Sequence, residues 1–539
     1  MHSAHESMPS KYINLSLAII ILFIALIFRV PSLSEKPMHG DEAVNAIKYS
    51  RLLESGKFEY DPAEYHGPTL YYFTLPVSWI NGNNNLKELN ESVLRIVPVI
   101  FGIGLIFLFF LLKPDLGWSI PLIAALFIAI SPAFIYYSRY YIHEMLLVFF
   151  CYLFIIAGYR YLQNRKTGWL ITSALSLGLF ISTKETWIII GFALIVSLFI
   201  VVIFRERKEK WTVFLKSTPK KHTVGFLVFT ILPIIVLYSA FFTFFEGLQN
   251  VFSAFSVYLD RAGHSEIHDH PWYMYFKWLL FFNPEGGSFR SEGIIAIFAL
   301  IGMYSIIKKQ RGDTNHTFLQ LMVTFVLVTI LIFAIIPYKT PWNFLTFWYG
   351  SIFLGAVGCN YIMKQININS VQQIFRLVFV IILIHLGWQG YQLSFKQSYD
   401  TNNPYVYAHP GADVVKIANR LEQLAMHHEL GYQLHIEVIA RNSDYWPLPW
   451  YLRHFDKVGW WKKIGIQMET APIVILQPEL VDSLIHKLYE LPPPGQRHLY
   501  IPLFDEYTEL RPGKELQGYI RKDLWDVLYQ LDTPVRNSQ

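Results

Sequence analysis

Only two of the 539 residues are cysteine, and charged side chains make up just 16% of the chain. So few cysteines exclude a disulfide-held scaffold. Cys151 and Cys359 both lie in apolar runs, where each reads as a small apolar residue. The charge fraction is well below the roughly 25% of an ordinary soluble protein. The 31 glycines show no period, which excludes a collagen-like chain, and no solenoid repeat is evident. An apolar content of 53% excludes disorder. The net charge of +5 is not gathered into one basic domain, so nucleic acid is not an indicated partner.

What the sequence has instead is long apolar runs, eleven of them near the roughly 20 residues needed to cross a 30 Å hydrocarbon core. They lie near 13–31, 93–112, 119–137, 143–161, 169–183, 186–204, 224–245, 293–307, 317–336, 343–363 and 374–392. The expected fold is a multi-pass α-helical membrane protein with about eleven transmembrane helices over residues 1–392. Lys and Arg fall in alternate connections: Arg165 and Lys166; Arg205, Arg207, Lys208, Lys210, Lys216, Lys220 and Lys221; Lys308, Lys309 and Arg311. By the positive-inside rule these face the cytoplasm. The N-terminus is then expected inside, the C-terminus outside, and the protein in the plasma membrane of a cell envelope.

The other set of connections faces out. Residues 32–92 form a long first outer loop, with an amphipathic helix expected from Asp41 to Leu53 and an aromatic-rich interfacial helix from Thr69 to Ile80. From 393 to 539 charged residues become frequent and no run is long enough to span, so a soluble extracytoplasmic domain is expected. Helical patterns at Asp413–His427 and Val481–Tyr489 alternate with strand patterns at Leu434–Ala440, Pro472–Leu476 and Leu499–Leu503. Such alternation predicts a small α/β domain.

The residues able to carry chemistry cluster in the outer connections. His39-Gly40-Asp41-Glu42 follows the first span, and His66-Gly67-Pro68 lies further along the same loop. Two acids at a helix start have a plain explanation in capping and the helix dipole. Two acids and two histidines in one loop also suit a general base or part of a divalent-metal site. The second connection carries Arg139, His143 and Glu144; the third carries Lys184 and Glu185. With Arg95 and Lys339, these place cations on the side where positive charge is disfavoured, around a carboxylate pair. That arrangement suits a lipid-borne phosphate, although Arg139 and Glu144 also read as a snorkelling or paired set at the membrane edge. The metal candidates are Asp41, Glu42 and His66, with His264, His268 and His270 in the 246–290 loop. His385, alone in an apolar span, reads as a helix-packing histidine. Trp446-Pro447-Leu448-Pro449-Trp450 suits either stacking on sugar rings or a packed helix start.

These motifs, in this order, resemble the GT-C membrane glycosyltransferases. The resemblance rests on Asp41-Glu42 after the first span, His66-Gly67-Pro68-Thr69-Leu70-Tyr71-Tyr72, Glu91-x3-Arg95-x2-Pro98-x3-Gly102 and Ser131-Pro132-x6-Arg139. These are similar to protein O-mannosyltransferases and lipid A aminoarabinose transferases. Met38-His39-Gly40-Asp41-Glu42-Ala43, Thr183-Lys184-Glu185-Thr186, Tyr338-Lys339-Thr340-Pro341-Trp342 and the segment Tyr445 to Arg453 resemble, more specifically, the prokaryotic flippase-activity-associated family. The likeness covers nearly the whole chain.

The resemblance implies an enzyme that moves a sugar from a polyprenyl-phosphate donor to a glycan, lipid or protein acceptor on the outer face. It implies Asp41 as the acid near the reacting centre with Glu42 beside it, and Arg139 and Lys184 at positions suited to the donor phosphate. One departure is that relatives have an acidic residue shortly after the second-loop arginine where this chain has His143-Glu144, so metal dependence is not fixed. His39, His66, Arg95, Glu144, Glu185 and Lys339 complete the expected substrate-binding set. A single displacement would invert the anomeric centre. A transporter or flippase of lipid-linked sugars would instead place ionisable groups near the bilayer midplane and show repeated halves. A non-catalytic accessory protein would be free to lose the Asp-Glu pair.

Overall fold

A computed structural model describes residues 8–64, 66–204, 218–251, 253, 268–309, 314–465 and 471–532. Arg205, Arg207, Lys208, Lys210, Lys216, Arg261, His264, Glu266 and Arg311 lie outside the described residues. The chain forms two compact units, Met1–Leu33 with Arg51–Asn83 and Asn90–Tyr407, and Ser34–Ser50 with Asn84–Leu89 and Ala408–Gln539.

The first unit is helical. Its elements are α1 (Met8–Arg29), the last turn of α2 (Gly40–Ser55), α3 (Thr69–Ile80), α4 (Glu91–Phe110), α5 (Ser119–Ile130), α6 (Pro132–Ser138) and α7 (Glu144–Asn164). There follow α8 (Thr167–Ile181), α9 (Trp187–Phe204), α10 (Lys220–Tyr238), α11 (Met274–Leu280), α12 (Gly293–Lys308), α13 (Thr314–Ile335), α14 (Leu345–Gln365) and α15 (Asn369–Tyr391). Each of the eleven apolar runs coincides with helix. Among the described residues six helices are long and apolar enough to cross a membrane, seven if the bent pair α5–α6 is one span; α8, α9 and α12 are shorter apolar helices. Cys151 and Cys359 are buried and free.

The 62° bend between α5 and α6 has a local cause. Pro132 lacks an N–H and pushes Ser131 into an extended conformation, ψ 119°. The freed carbonyls of Ile128 and Ala129 accept from Arg29, and the freed Ala133 N–H is satisfied by a buried acid, Glu292. It accepts from Ser131 Oγ at 2.6 Å, Ala133 N at 2.9 Å, Tyr405 OH at 2.6 Å and Trp348 Nε1 at 3.2 Å. Elsewhere small residues let helices touch through their backbones, as lipid-embedded helices do. A Cβ on Gly302 of α12 would lie 2.0 Å from Leu354 O of α14, and one on Gly358 would lie 2.0 Å from Phe298 O.

The second unit is α/β. A five-stranded sheet has the order β2 (Lys457–Trp461), β1 (His435–Ile439), β3 (Ile473–Leu476), β7 (Gln517–Arg521), β4 (Tyr500–Pro502). A two-stranded ribbon joins β5 (Glu509–Arg511) and β6 (Lys514–Glu515). β1 pairs with β2 and β3 in parallel, and β7 runs antiparallel to β3 and β4. β1 and β3 are buried on both faces, as parallel strands require. Ile436, Val438, Ile473 and Ile475 pack with Ile417, Leu421 and Leu424 of α16 (Asp413–His427) and Leu524 of α17 (Lys522–Asp532). Ile439, Val474 and Leu476 pack with Leu480, Leu484 and Leu488 on the other face.

Two pieces of the first loop, Ser34–Ser50 and Asn84–Leu89, belong to this unit. Met38 N donates to Tyr451 OH at 2.8 Å, and His409 Nε2 to Pro37 O at 3.2 Å. Lys87 pairs with Asp456, His454 Nε2 donates to Lys87 O, and Arg453 donates to Leu89 O. The second unit therefore starts at Ala408 in its main segment and draws in loop residues from within 32–92. The α2 face in the interior is formed by Glu42, Ala43, Ala46, Tyr49 and Leu52, while Val44 and Ile47 are only partly covered.

Candidate active site

Three groups of the expected residues come together within the first unit. In the first, four ionisable side chains converge from three separate connections between helices. His66 Nδ1 donates to Glu185 Oε2 at 2.7 Å, and Tyr60 OH reaches Glu185 Oε1 at 3.4 Å. Lys184 is paired with Glu144 at the start of α7. His143 bridges the two pairs: its Nε2 donates to Gly67 O at 3.1 Å and its ring meets His66 edge-on, centroids 5.3 Å apart. The connection 182–186 is pressed onto 66–69 closely enough that a Cβ on Gly67 would lie 2.2 Å from Ser182 O. Thr69 Oγ1 to Thr183 Oγ1, 3.0 Å, fastens the contact.

Burial opposes the negative charge of Glu185. The His66 imidazole, as charge and as hydrogen-bond donor, and the Lys184 ammonium outweigh that and hold the carboxyl below its usual range. Glu185 is therefore an ionised acceptor at neutral pH.

The second group surrounds the end of α1. Arg139 donates to the carbonyls of Arg29 at 3.0 Å, Pro31 at 2.5 Å and Ser32 at 2.9 Å, and its guanidinium lies 4.2 Å over the Phe395 ring. Arg95 Nη1 donates to Leu33 O at 2.7 Å. Arg29 itself turns back to Ile128 O at 2.7 Å, Ala129 O at 2.9 Å and Ser138 Oγ at 3.3 Å. A helix ends with unsatisfied carbonyls, and here Arg139 satisfies that of Arg29, the last residue of α1, while Arg139 and Arg95 hold the carbonyls of Pro31, Ser32 and Leu33 in the chain that leaves it.

The third group is the pair of loops 268–271 and 337–341. His270 N donates to Pro337 O at 3.0 Å and Lys339 N to His268 O at 2.9 Å. The Lys339 ammonium donates to His270 O at 3.2 Å and to Ile336 O. His268 Nδ1 and Tyr407 OH are 2.5 Å apart. Burial lowers the Lys339 ammonium below its usual value, against the pull of Asp269. Burial also lowers His270, helped by the charges of His268 and Lys339.

His39, Asp41 and Glu42 lie in the second unit. Asp41 N donates to His39 Nδ1 at 3.0 Å and His39 N to Glu42 Oε2 at 3.1 Å. This is a capping box with histidine in the cap position. It gives the two acids different environments: Glu42 is wholly buried and holds the helix start, whereas the Asp41 side chain is 54% exposed. Because Nδ1 of His39 accepts a backbone N–H, its ring proton sits on Nε2. The His409 ring packs against it, centroids 5.2 Å apart.

Among the described residues no group of three or more His, Cys, Asp or Glu side chains gathers to hold a metal ion. The Glu42, His66 and His268 side chains are engaged in the hydrogen bonds given above, the Asp41 carboxylate is exposed, and His264 lies outside the described residues. Among the described residues, then, these side chains do not assemble a metal-binding set. Trp450 is fully buried beneath Arg453, at 4.0 Å, so the second Trp of Trp446-to-Trp450 packs in the interior.

Tyr60, Arg29 and Glu292 are absent from the sequence-derived set. Arg29 was legible as a cation at the end of an apolar run, and Glu292 as a lone acid before one. Tyr60 carries no such signal.

Residues 77–238 match the family model of the dolichyl-phosphate-mannose-protein mannosyltransferases. The structure resembles ArnT from Cupriavidus metallidurans bound to undecaprenyl phosphate, with a TM-score of 0.58, 13% identity, and coverage of 95% of this chain and 98% of that one. The fold is that of the GT-C membrane glycosyltransferases. It is likewise similar to the archaeal oligosaccharyltransferase AglB from Archaeoglobus fulgidus, in complex with an inhibitory peptide and a dolichol-phosphate. There the TM-score is 0.56 at 13% identity, covering 88% of this chain and 70% of that one. At these identities it is the GT-C architecture that is shared. No curated protein matches the chain in sequence.

Proposed function

We propose that the chain is a glycosyltransferase that moves a sugar from a polyprenyl-phosphate donor to an acceptor on the extracytoplasmic face. The observation that carries this reading is the convergence of His66, Glu144, Lys184 and Glu185 from three connections between apolar helices. Ionisable groups gathered at helix ends suit a reaction at the membrane surface, whereas transport places them near the midplane. The positive-inside rule supports a cytoplasmic N-terminus and an extracytoplasmic C-terminal domain.

In the proposed reaction the acceptor oxygen attacks the anomeric carbon, its proton passes to the Asp41 carboxylate, and the bond to the phosphate oxygen breaks. The leaving polyprenyl phosphate keeps the electron pair. Asp41 suits the base because its carboxylate is open while its neighbour Glu42 is committed to the helix cap. Lys184 is the proposed partner of the donor phosphate, with Glu144 holding the ammonium in place. Phosphate charge grows as the bond breaks, so a fixed cation stabilises the transition state more than the ground state. Arg95 and Arg139 act in this reading as positioning residues, fixing the chain that leaves α1. One displacement inverts the anomeric centre.

The test is transfer by purified protein in lipid from a panel of radiolabelled polyprenyl-phosphate and polyprenyl-diphosphate sugars, beside Asp41→Asn and with and without chelator. Label reaching an acceptor only when Asp41 is intact supports the reading and names the donor. Absence of transfer from every donor by folded protein sinks it.

A further inference from the structure

At one edge of the α/β unit the strand order β2-β1-β3, all parallel, makes a topological switch beside β1. Open sheets bind ligands at the carboxyl ends of such strands. Three strand ends meet there. Ala440 N donates to Trp461 O at 2.9 Å, and Arg441 N donates to Gln477 Oε1 at 2.8 Å. The segments after β1 and β2 are thereby held side by side, and both are basic: Arg441, Lys462 and Lys463 are all exposed.

At the end of β2, next to these segments, lies an indole with an unusual support. Trp461 ends the edge strand β2 with 42% of its surface exposed. Its ring lies across Gly459, two residues back on the same face: a Cβ there would sit 2.6 Å from Trp461 Nε1 and 3.3 Å from Cε2. Only glycine lets the ring lie down on the strand. Trp460 points to the opposite face, against Tyr445 with centroids 5.0 Å apart, and packs with the core.

A ring laid flat on a rigid strand is a stacking platform, and aromatic side chains with one apolar face and one polar tip suit partners that are apolar on a face and polar at the rim. Sugar rings have that character. Three exposed cations in the segments that follow β1 and β2 add a preference for negative charge at this end of the sheet. We propose that the Trp461 face of the C-terminal unit binds an anionic saccharide, stacked on the indole with its acidic groups on Arg441, Lys462 and Lys463. A nucleotide fits less well, since the helix that follows β1 is the four-residue Leu448–Tyr451, too short to offer an N-terminus to a diphosphate. A lipid surface fits less well too. The exposed residues of the adjoining segments, Arg441, Asn442, Lys462 and Lys463, are polar and offer little apolar area to bury.

The inference stands apart from the transfer chemistry, because binding is read directly. Full-length protein in nanodiscs is titrated by microscale thermophoresis with hexa-galacturonate, with maltohexaose, and with phosphatidylglycerol vesicles. Hexa-galacturonate is expected to bind at least tenfold more tightly than maltohexaose. Trp461→Ala is expected to weaken it tenfold or more, and Lys462→Ala/Lys463→Ala to weaken it by a similar factor and flatten its salt dependence. Arg521→Ala, on β7, serves as a control with unchanged binding. Gly459→Ala, which lifts the ring without removing it, should lose affinity while the indole remains. Equal affinity for both saccharides, undiminished binding by Trp461→Ala, binding of the vesicles alone, or no binding of any probe would each overturn the proposal.

Discussion

His66 Nδ1 donates a 2.7 Å hydrogen bond to Glu185 Oε2 and so ties the first long connection of the membrane unit to the short turn between α8 and α9. The bond joins residues 119 apart in sequence. It also fixes the ionisation of Glu185, which burial alone would drive the other way.

A carboxyl held below its usual range stabilises the fold at pH values above that range. The contribution is lost as pH falls through the depressed value. The wild-type chain should therefore lose thermal stability in acid, below the ordinary glutamate range, and Glu185→Gln should lack that part of the profile. At neutral pH Glu185→Gln should be less stable by about 1–3 kcal/mol, the cost of weakening a buried charged hydrogen bond. Melting curves of both proteins from pH 7 to pH 3 check this. Parallel profiles would show that the bond does not control Glu185.

The capping box at the start of α2 separates the two adjacent acids by role. Asp41→Asn removes an exposed charge and should change stability by less than about 0.5 kcal/mol, while transfer drops by about 10²–10⁴-fold, the usual contribution of a general base. Glu42→Ala exposes the His39 N–H to an empty cap and should cost about 0.5–2 kcal/mol. Measuring melting and transfer on both variants distinguishes the assignments. If Glu42→Ala abolishes transfer at full stability, the base is Glu42.

The sequence made the helices legible because a lipid-spanning run is a strong, local signal, and Asp41–Glu42, His66, Arg139 and Lys184 were legible as polar residues between such runs. What those residues do was not. Cations on a side where positive charge is disfavoured suggested a phosphate, yet Arg95 and Arg139 spend donors on the backbone carbonyls of Arg29 to Leu33. Such contacts span more than 60 residues and leave no periodic trace. The strand β2 was also missed. Lys457-Val458-Gly459-Trp460-Trp461 has a glycine at its centre, which weakens a strand pattern, and that glycine is there to make room for the indole. Similarly, the loop segments 34–50 and 84–89 join the α/β unit through contacts such as Met38 to Tyr451 that only the folded chain brings together.

Arg139 tests whether these arginines hold the backbone by their fork. A guanidinium can reach three carbonyls at once, but an ammonium on a flexible stem cannot hold the same set. Arg139→Lys keeps the charge and should still lose about 3 kcal/mol or more, since buried carbonyls are left without donors. If charge alone mattered, for instance toward the donor phosphate, Arg139→Lys would retain stability and most transfer. Thermal melting in detergent, with transfer measured on the same preparation, tells these apart.

Gly67 offers the sharpest test that the convergence of connections matters to activity. An alanine Cβ would stand 2.2 Å from Ser182 O and 2.6 Å from its carbonyl carbon, and backbone atoms cannot rotate out of the way. The connection 66–69 must then part from 182–186, which lengthens Thr69 N to Ser182 O, now 3.3 Å, and draws His66 from Glu185. Overpacking of this kind costs about 1–3 kcal/mol, and a displacement near 1 Å at a reacting centre can cost about 10²-fold in rate. Gly67→Ala should show both losses. Gly168→Ala, early in α8 with open space around its Cβ, is the matched control and should be neutral or slightly stabilising. Equal transfer by the two variants would mean that the His66, Glu144, Lys184 and Glu185 cluster serves the fold and not the reaction.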